Sequence, residues 1–172
     1  MGFTKWLTVL VFAVAWSVSA SAQDVAENAA FGDWIVRCEA TPTNENRCRL
    51  TQTMTRTSDK SLVVRFIAFP GKDEQSVIVA HVPIGAYLPA SPVISRLETG
   101  NRDQQNFTWQ RCMGDICEAA TAISAQELAT YKTAKNVVFG YRMNQGDDPI
   151  VVRVDVSRLE EGLNAIAVDA AN

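Results

Sequence analysis

FTWQRCMGDICEAA, residues 107–120, places two cysteines either side of Met-Gly-Asp-Ile, with Trp109 upstream and two alanines downstream. Gly114-Asp115 suits a tight turn, because glycine takes positive φ without steric cost and aspartate bonds its own backbone. The stretch reads as a β-hairpin: one strand from Phe107 to Cys112, its partner from Cys117 to Ala122, and a Cys112–Cys117 disulfide at the tip. On strict alternation Trp109 and Arg111 lie opposite Thr108, Gln110 and Cys112, so the indole ring and the disulfide point to opposite faces unless a bulge intervenes.

Upstream of this hairpin the period-two signal recurs. Trp34, Val36 and Cys38 share a face, as do Leu50, Gln52, Met54 and Arg56. The Thr-, Pro- and Asn-rich loop between these strands can be clipped by Cys38 and Cys48. Residues 62–69 are β-branched and aromatic and stop at Pro70-Gly71, and residues 76–82 follow after a Lys-Asp-Glu-Gln turn, so 62–82 is expected to be a hairpin. Three prolines and Gly85 between Pro83 and Pro92 exclude a helix or a central strand there. A short strand follows from Val93 to Leu97.

Downstream, Ser124-Ala-Gln-Glu127 has the spacing of a capping box and opens a surface helix over 125–133. Residues 136–143 and 150–156 add two strands. Ser157 to Glu160 repeats the box, but Gly162 is expected to hold that segment to a turn or two, and the tail from Ala167 to fray. Many short strands, frequent turns and little helix specify an all-β fold, an antiparallel β-sandwich with one short surface helix.

The N-terminus carries an address. Lys5 precedes an apolar run from Trp6 to Val18, and Ala20-Ser21-Ala22 is a small-residue cleavage site, so residues 1–22 read as a signal peptide cleaved near Ala22. The run is short of the roughly 20 apolar residues a spanning helix needs, and the mature chain has no transmembrane candidate. Cleavage leaves 150 residues, one domain's worth, with residues 23–30 as a flexible lead-in to a domain at 31–168. It also removes one lysine and no acid, taking the net charge from −3 to −4, which with the absence of a basic block argues against nucleic acid.

Export implies an oxidising compartment, periplasmic or extracellular, where four cysteines can form two disulfides in three ways. Local pairing, Cys38–Cys48 and Cys112–Cys117, fits the turn-rich segments each pair brackets; on the loop-entropy model it contributes about 3 and about 2 kcal/mol. Zinc is disfavoured by the spacings and by the single histidine. No cofactor motif is present.

The order and spacing of several pieces resemble the invasion-associated locus B family of small exported bacterial proteins, from about Trp34 to Ile166. They are DWIVRC at 33–38, CRLTQ at 48–52, VPIGAYL at 82–88, RCMGDIC at 111–117 followed by Glu118-Ala119, and a closing strand running into Ser157-Arg-Leu. The resemblance implies an immunoglobulin-like sandwich, a periplasmic or surface-associated location, and, in the namesake pathogens, a link to host-cell invasion and virulence. It carries no catalytic residues across.

The expected function is therefore a non-enzymatic envelope protein that binds a protein or another envelope or host-surface component. Its contact surface would be the passage containing Pro83, Ile84, Gly85, Tyr87, Pro89 and Pro92, with the two clipped turns. The alternatives are a hydrolase using His81 with a serine or acid such as Ser76, Ser95 or Asp73, thiol exchange at Cys112/Cys117, and a small-ligand carrier needing a deep apolar cavity.

Overall fold

The computed structural model describes residues 25–40, 42, 46–98, 104–134 and 136–169. The expected signal peptide, part of the lead-in and residues 170–172 lie outside these. The chain forms two antiparallel sheets packed face to face, the β-sandwich that the alternation specifies. The larger has seven strands in the order β1-β2-β3-β4-β5-β9-β8, the smaller four in the order β11-β10-β6-β7. In chain order these are β1 (Ala30–Phe31), β2 (Trp34–Ala40), β3 (Asn46–Thr55), β4 (Leu62–Pro70), β5 (Gln75–Pro83), β6 (Val93–Arg96), β7 (Gln105–Asn106), β8 (Thr108–Met113), β9 (Ile116–Ser124), β10 (Val137–Tyr141) and β11 (Ile150–Val154). Helix α1 (Ala125–Lys132) follows β9, and α2 (Leu159–Asp169) follows β11.

The inner face of the large sheet is the set that period two selects: Trp34 and Val36, Leu50, Val64, Phe66 and Ala68, Ile78, Ala80 and Val82, Cys117, Ala119 and Ile123, all buried. Opposite them Ile94, Val137, Phe139, Tyr141 and Val154 fill the smaller sheet's inner face. Phe66 meets Phe139 edge-on at 5.0 Å between centroids, and Phe107 meets Phe139 at 5.3 Å, so one aromatic column ties the two sheets. The polar tips at its ends are satisfied: Tyr141 Oη donates to the Val63 carbonyl at 2.9 Å, and Trp34 Nε1 to the Asp155 carbonyl at 2.6 Å. Those two bonds also give a direction. The β10–β11 hairpin reaches from the start of β4 to the start of β2, across the strands of the larger sheet.

The capping box at Ser124 is formed as its spacing requires. Ser124 Oγ accepts from the Glu127 amide at 3.2 Å, and Glu127 Oε2 accepts from the Ser124 amide at 2.8 Å. Helix α1 buries only Leu128 and Tyr131, a narrow stripe suited to a surface helix.

Two local expectations are corrected. Helix α2 runs for 11 residues to Asp169, three turns instead of one or two and past Ala167, where fraying was expected, so the described residues form two helices. Leu159, Leu163 and Ile166 recur on one face and are all buried, which outweighs the roughly 1 kcal/mol that a glycine costs inside a helix. Gly162 is there for space: a Cβ on it would lie 2.7 Å from Leu50 Cδ1 and 3.1 Å from Phe31 Cδ2, so the helix approaches β3 at glycine-only distance. The second correction is in β8. The register with β9 shifts between Trp109 and Arg111, pairing Trp109 with Ala119 and Cys112 with Cys117. This bulge absorbs one residue, so ring and disulfide share the inner face.

Candidate functional site

Each of the two disulfides joins cysteines directly opposite one another on adjacent strands. Cys38 pairs with Cys48 across β2–β3, and Cys112 with Cys117 across β8–β9. Local pairing is therefore the connectivity. The two clips lie at opposite ends of the large sheet, because β2 and β9 run in the directions that the alternating ladder imposes.

At the Cys112–Cys117 end, two features separate in sequence become one surface. Pro83 at the end of β5 pairs with Ile116 at the start of β9, and the Ile84 amide donates to the Asp115 carbonyl at 2.9 Å, so the proline-containing passage leaves directly beneath the cysteine turn. It is then tied down along its length. The Tyr87 amide donates to the Arg142 carbonyl at 2.8 Å, the Ala90 amide to the Tyr87 carbonyl at 3.2 Å, Trp109 Nε1 to the Ala90 carbonyl at 3.1 Å, and the Phe107 amide to the Pro92 carbonyl at 2.8 Å. Ala86 plugs into the core. Gly114, at φ +60°, makes the turn above it.

On this anchored frame three large apolar side chains face solvent: Ile84 at 50%, Leu88 at 48% and Met113 at 65% relative exposure. Of the residues the sequence singled out, Ile84, Gly85 and Pro89 are exposed, Pro83 and Tyr87 are half-buried, and Pro92 is buried and serves as an anchor. Leu88 and Met113 were missed. Leu88 sits among the selected residues, and exposure of an apolar side chain at a loop tip has no periodic signature.

Beside this surface a groove of about 640 Å³ opens between the sheets, walled by Leu62, Val63, Ile116, Met143, Ile150 and Val152. Arg56 and Asp115 also line it, and Tyr141 forms part of its floor. Burial pushes the Tyr141 phenol above its usual pKa, with Arg56 pulling the other way. Further inside, the space between the sheets is occupied by the aromatic column.

His81 lies on the opposite, outer face of the large sheet, in a cross-strand row with Arg65, Glu118 and Arg111. Its Nε2 is 2.8 Å from Glu118 Oε2, Glu118 Oε1 is 3.7 Å from Arg111 Nε, and the buried Nδ1 of His81 has no hydrogen-bond partner among the described residues. The structure does not bring Ser76, Ser95 or Asp73 to it. Ser76 is five residues back along β5, about 17 Å at strand rise, Asp73 is in the turn beyond it, and Ser95 belongs to the other sheet. Cys117 is buried at the core, while Cys112 reaches solvent. Among the described residues no three His, Cys, Asp or Glu side chains converge as a metal set, and no helix is long and apolar enough to cross a membrane.

At the far end the Cys38–Cys48 clip is surrounded by charge. Arg37 and Arg49 face each other in register; Arg37 pairs with Glu27 at 3.4 Å and contacts Asn28, and Arg49 pairs with Glu39. Glu27 Oε2 also accepts the Cys38 amide.

The sequence model described as "Invasion associated locus B (IalB) protein" matches residues 34–167. The fold is similar to the crystal structure of invasion associated protein B from Bartonella henselae, with a TM-score of 0.67 and 13% sequence identity over 81% of this chain and 93% of that one. No curated protein matches the chain.

Proposed function

This chain belongs to the invasion associated locus B family, and from that premise we propose that it works, once exported, as a non-catalytic binding module whose contact surface is the loop cluster at the Cys112–Cys117 end. The observation that carries this reading is the pairing of exposed Ile84, Leu88 and Met113 with a passage tied at five points to Phe107 and Trp109, the β8–β9 turn, the β10–β11 loop and itself. Large apolar side chains in water are unfavourable unless a partner covers them, and a rigid frame lowers the ordering cost of binding. Export is supported by the leader-like N-terminus and by two disulfides, which persist in oxidising compartments. The partner class is a protein or other component of the bacterial envelope or of a host-cell surface, in keeping with the invasion-associated description of the family.

The test is saturable binding of the disulfide-verified chain to intact envelopes and to host-cell membranes, compared with an Ile84→Ser/Leu88→Ser/Met113→Ser variant. A loss of tenfold or more at unchanged stability supports the loop surface. Equal binding by both proteins removes it, and turnover of a substrate abolished by His81→Ala would replace the binding reading with a catalytic one.

A further inference from the structure

The four edges of the two sheets are not treated alike. In the large sheet, β1 is two residues long, and beyond it the rim of β2 is sealed by the lead-in: the Asn28 amide donates to the Val36 carbonyl, the Val36 amide to the Ala29 carbonyl, and Glu27 takes the Cys38 amide. At the other edge, β8 is broken by the bulge before Arg111, and its Trp109 side chain is bonded to the Pro83–Pro92 passage through the Ala90 carbonyl. In the small sheet, β7 is two residues long. These are the usual devices that keep an edge from pairing with another chain.

The remaining edge, β11, has no seal, no bulge and no two-residue shortness, and a single charge, Arg153. Its sequence is IVVRV, five residues in unbroken register with β10, with neither proline, lysine nor bulge. Among the described residues its backbone bonds nothing but β10, leaving the groups along its outward rim free of protein partners.

Hollows flank this rim on both sides. Inward, Ile150 and Val152 wall the 640 Å³ groove. Outward, a hollow of about 390 Å³ lies over Gly140 between Val93 and Val151, the latter 55% exposed. Gly140 has no conformational reason to be glycine, since its φ is not positive and a Cβ there would sit in ordinary contact, 3.6 Å from the Ile150 carbonyl oxygen and 3.7 Å from Val151 Cγ2. A side chain missing from mid-strand, where the chain itself has room for one, is what close approach by another molecule uses.

We infer that β11 is a docking edge for an extended segment of a partner protein, added as a fifth strand to the small sheet, with adjacent apolar side chains entering the inner groove and the Gly140 hollow and an acidic residue near the Arg153 end. Backbone bonds would give the affinity and the two hollows the selectivity, as in strand addition generally. The acidic residue follows from charge. Arg153 on the outer side of β11 has no carboxylate within ion-pair distance among the described residues, and β11 itself contains no acid. A second copy pairing through the same strand would bring no acid to Arg153, so the charge favours a different chain.

This inference rests on the binding reading but uses another surface, so the two fail separately. Random heptapeptides displayed on phage are panned on the full, disulfide-bonded chain, and the consensus peptide is synthesised, titrated, and followed by amide hydrogen exchange. The expected consensus carries β-branched or aromatic residues at adjacent positions, one for each hollow, and includes Asp or Glu. Its binding should slow exchange across residues 150–154 at least tenfold. Arg153→Glu and Gly140→Val should each weaken it at least tenfold with an unchanged denaturation midpoint, while Ile84→Ser leaves it unaltered. Peptides without such an apolar pair, protection elsewhere, or no enrichment over bare matrix would overturn the inference. So would concentration-dependent protection of 150–154 in the free chain with a sedimenting dimer, which would give the edge to a second copy.

Discussion

Cys38–Cys48 and Cys112–Cys117 join residues that face each other across adjacent antiparallel strands, with Cα atoms 4.0 and 3.9 Å apart, yet what leans on each differs. Around the first are paired charges: Arg37 with Glu27, Arg49 with Glu39, and a carboxylate on the Cys38 amide. Around the second the chain folds a ten-residue passage against the turn and leaves Ile84, Leu88 and Met113 in solvent. The same crosslink thus serves two ends. At one it closes a hairpin whose neighbours are already satisfied, and at the other it fixes a surface whose neighbours are not. Stapling says where a chain is held; the exposed apolar side chains mark where the proposed partner would sit.

Removing each staple breaks the comparison most directly. Cys38→Ser/Cys48→Ser should lower stability by about 3 kcal/mol and Cys112→Ser/Cys117→Ser by about 2 kcal/mol on the loop-entropy model, read as shifts of the urea midpoint. Envelope binding should survive the first change and be lost in the second. Equal loss of binding in both would mean that the two ends are not functionally distinct.

Next in size is Trp109→Phe, which keeps an aromatic ring packed against the core and deletes the indole donor to the Ala90 carbonyl. A cost of about 1 kcal/mol is expected, with faster amide exchange at residues 84–92 and none at 38–48. Exchange that rises equally at both ends would show that the passage is not held by this bond.

A pH series sharpens the same contrast. Burial pushes the Asp155 carboxyl up, but hydrogen bonds from the Ser157 hydroxyl and amide and the Asp33 amide outweigh it and hold its pKa below the ordinary carboxylate value. A carboxyl depressed in the folded state contributes stability that is complete above its unfolded pKa, about 3.9, and lost as pH falls through the folded value. Asp155→Asn should therefore be less stable than wild type at pH 7 and converge with it toward pH 2. Parallel curves would refute this role for Asp155.

The smallest effect belongs to the charged end. Arg49→Ala removes an exposed ion pair, for which a stability change of about 0–1 kcal/mol is expected, with binding unmoved. A larger loss would show that the surface around Cys38–Cys48 does more than solvate a hairpin.

What was legible in the sequence was whatever is local. Alternation at Trp34 and Val36, and at Leu50 and Gln52, gave the inner face; Ser124 with Glu127 gave the start of α1; and turn-rich brackets gave both disulfides. Misreading began where a local rule met a distant contact. Gly162 looked like a helix terminator because Leu50, 112 positions away, is what makes glycine useful there. The bulge before Arg111 is invisible to alternation because β9 sets the register. The site was half legible for the same reason: the Pro83–Pro92 passage and the cysteine turn each carried a signal, but only the β5–β9 ladder puts them together.

That ladder has a consequence for how the chain is made. Its nine pairs join residues between 33 positions apart, at Pro83 and Ile116, and 49 apart, at Gln75 and Ser124. The β2–β3 and β4–β5 hairpins can close as soon as they are synthesised, whereas β5 waits for residues beyond Ile116 to arrive before its second edge is covered. Non-local pairing of this kind slows folding, and an edge left open during the delay invites wrong pairing. For a chain that assembles N-terminus first, Val77, Val79 and His81 lie on the strand that stays half-paired longest, and a chaperone or a neighbouring nascent copy would find its opening there.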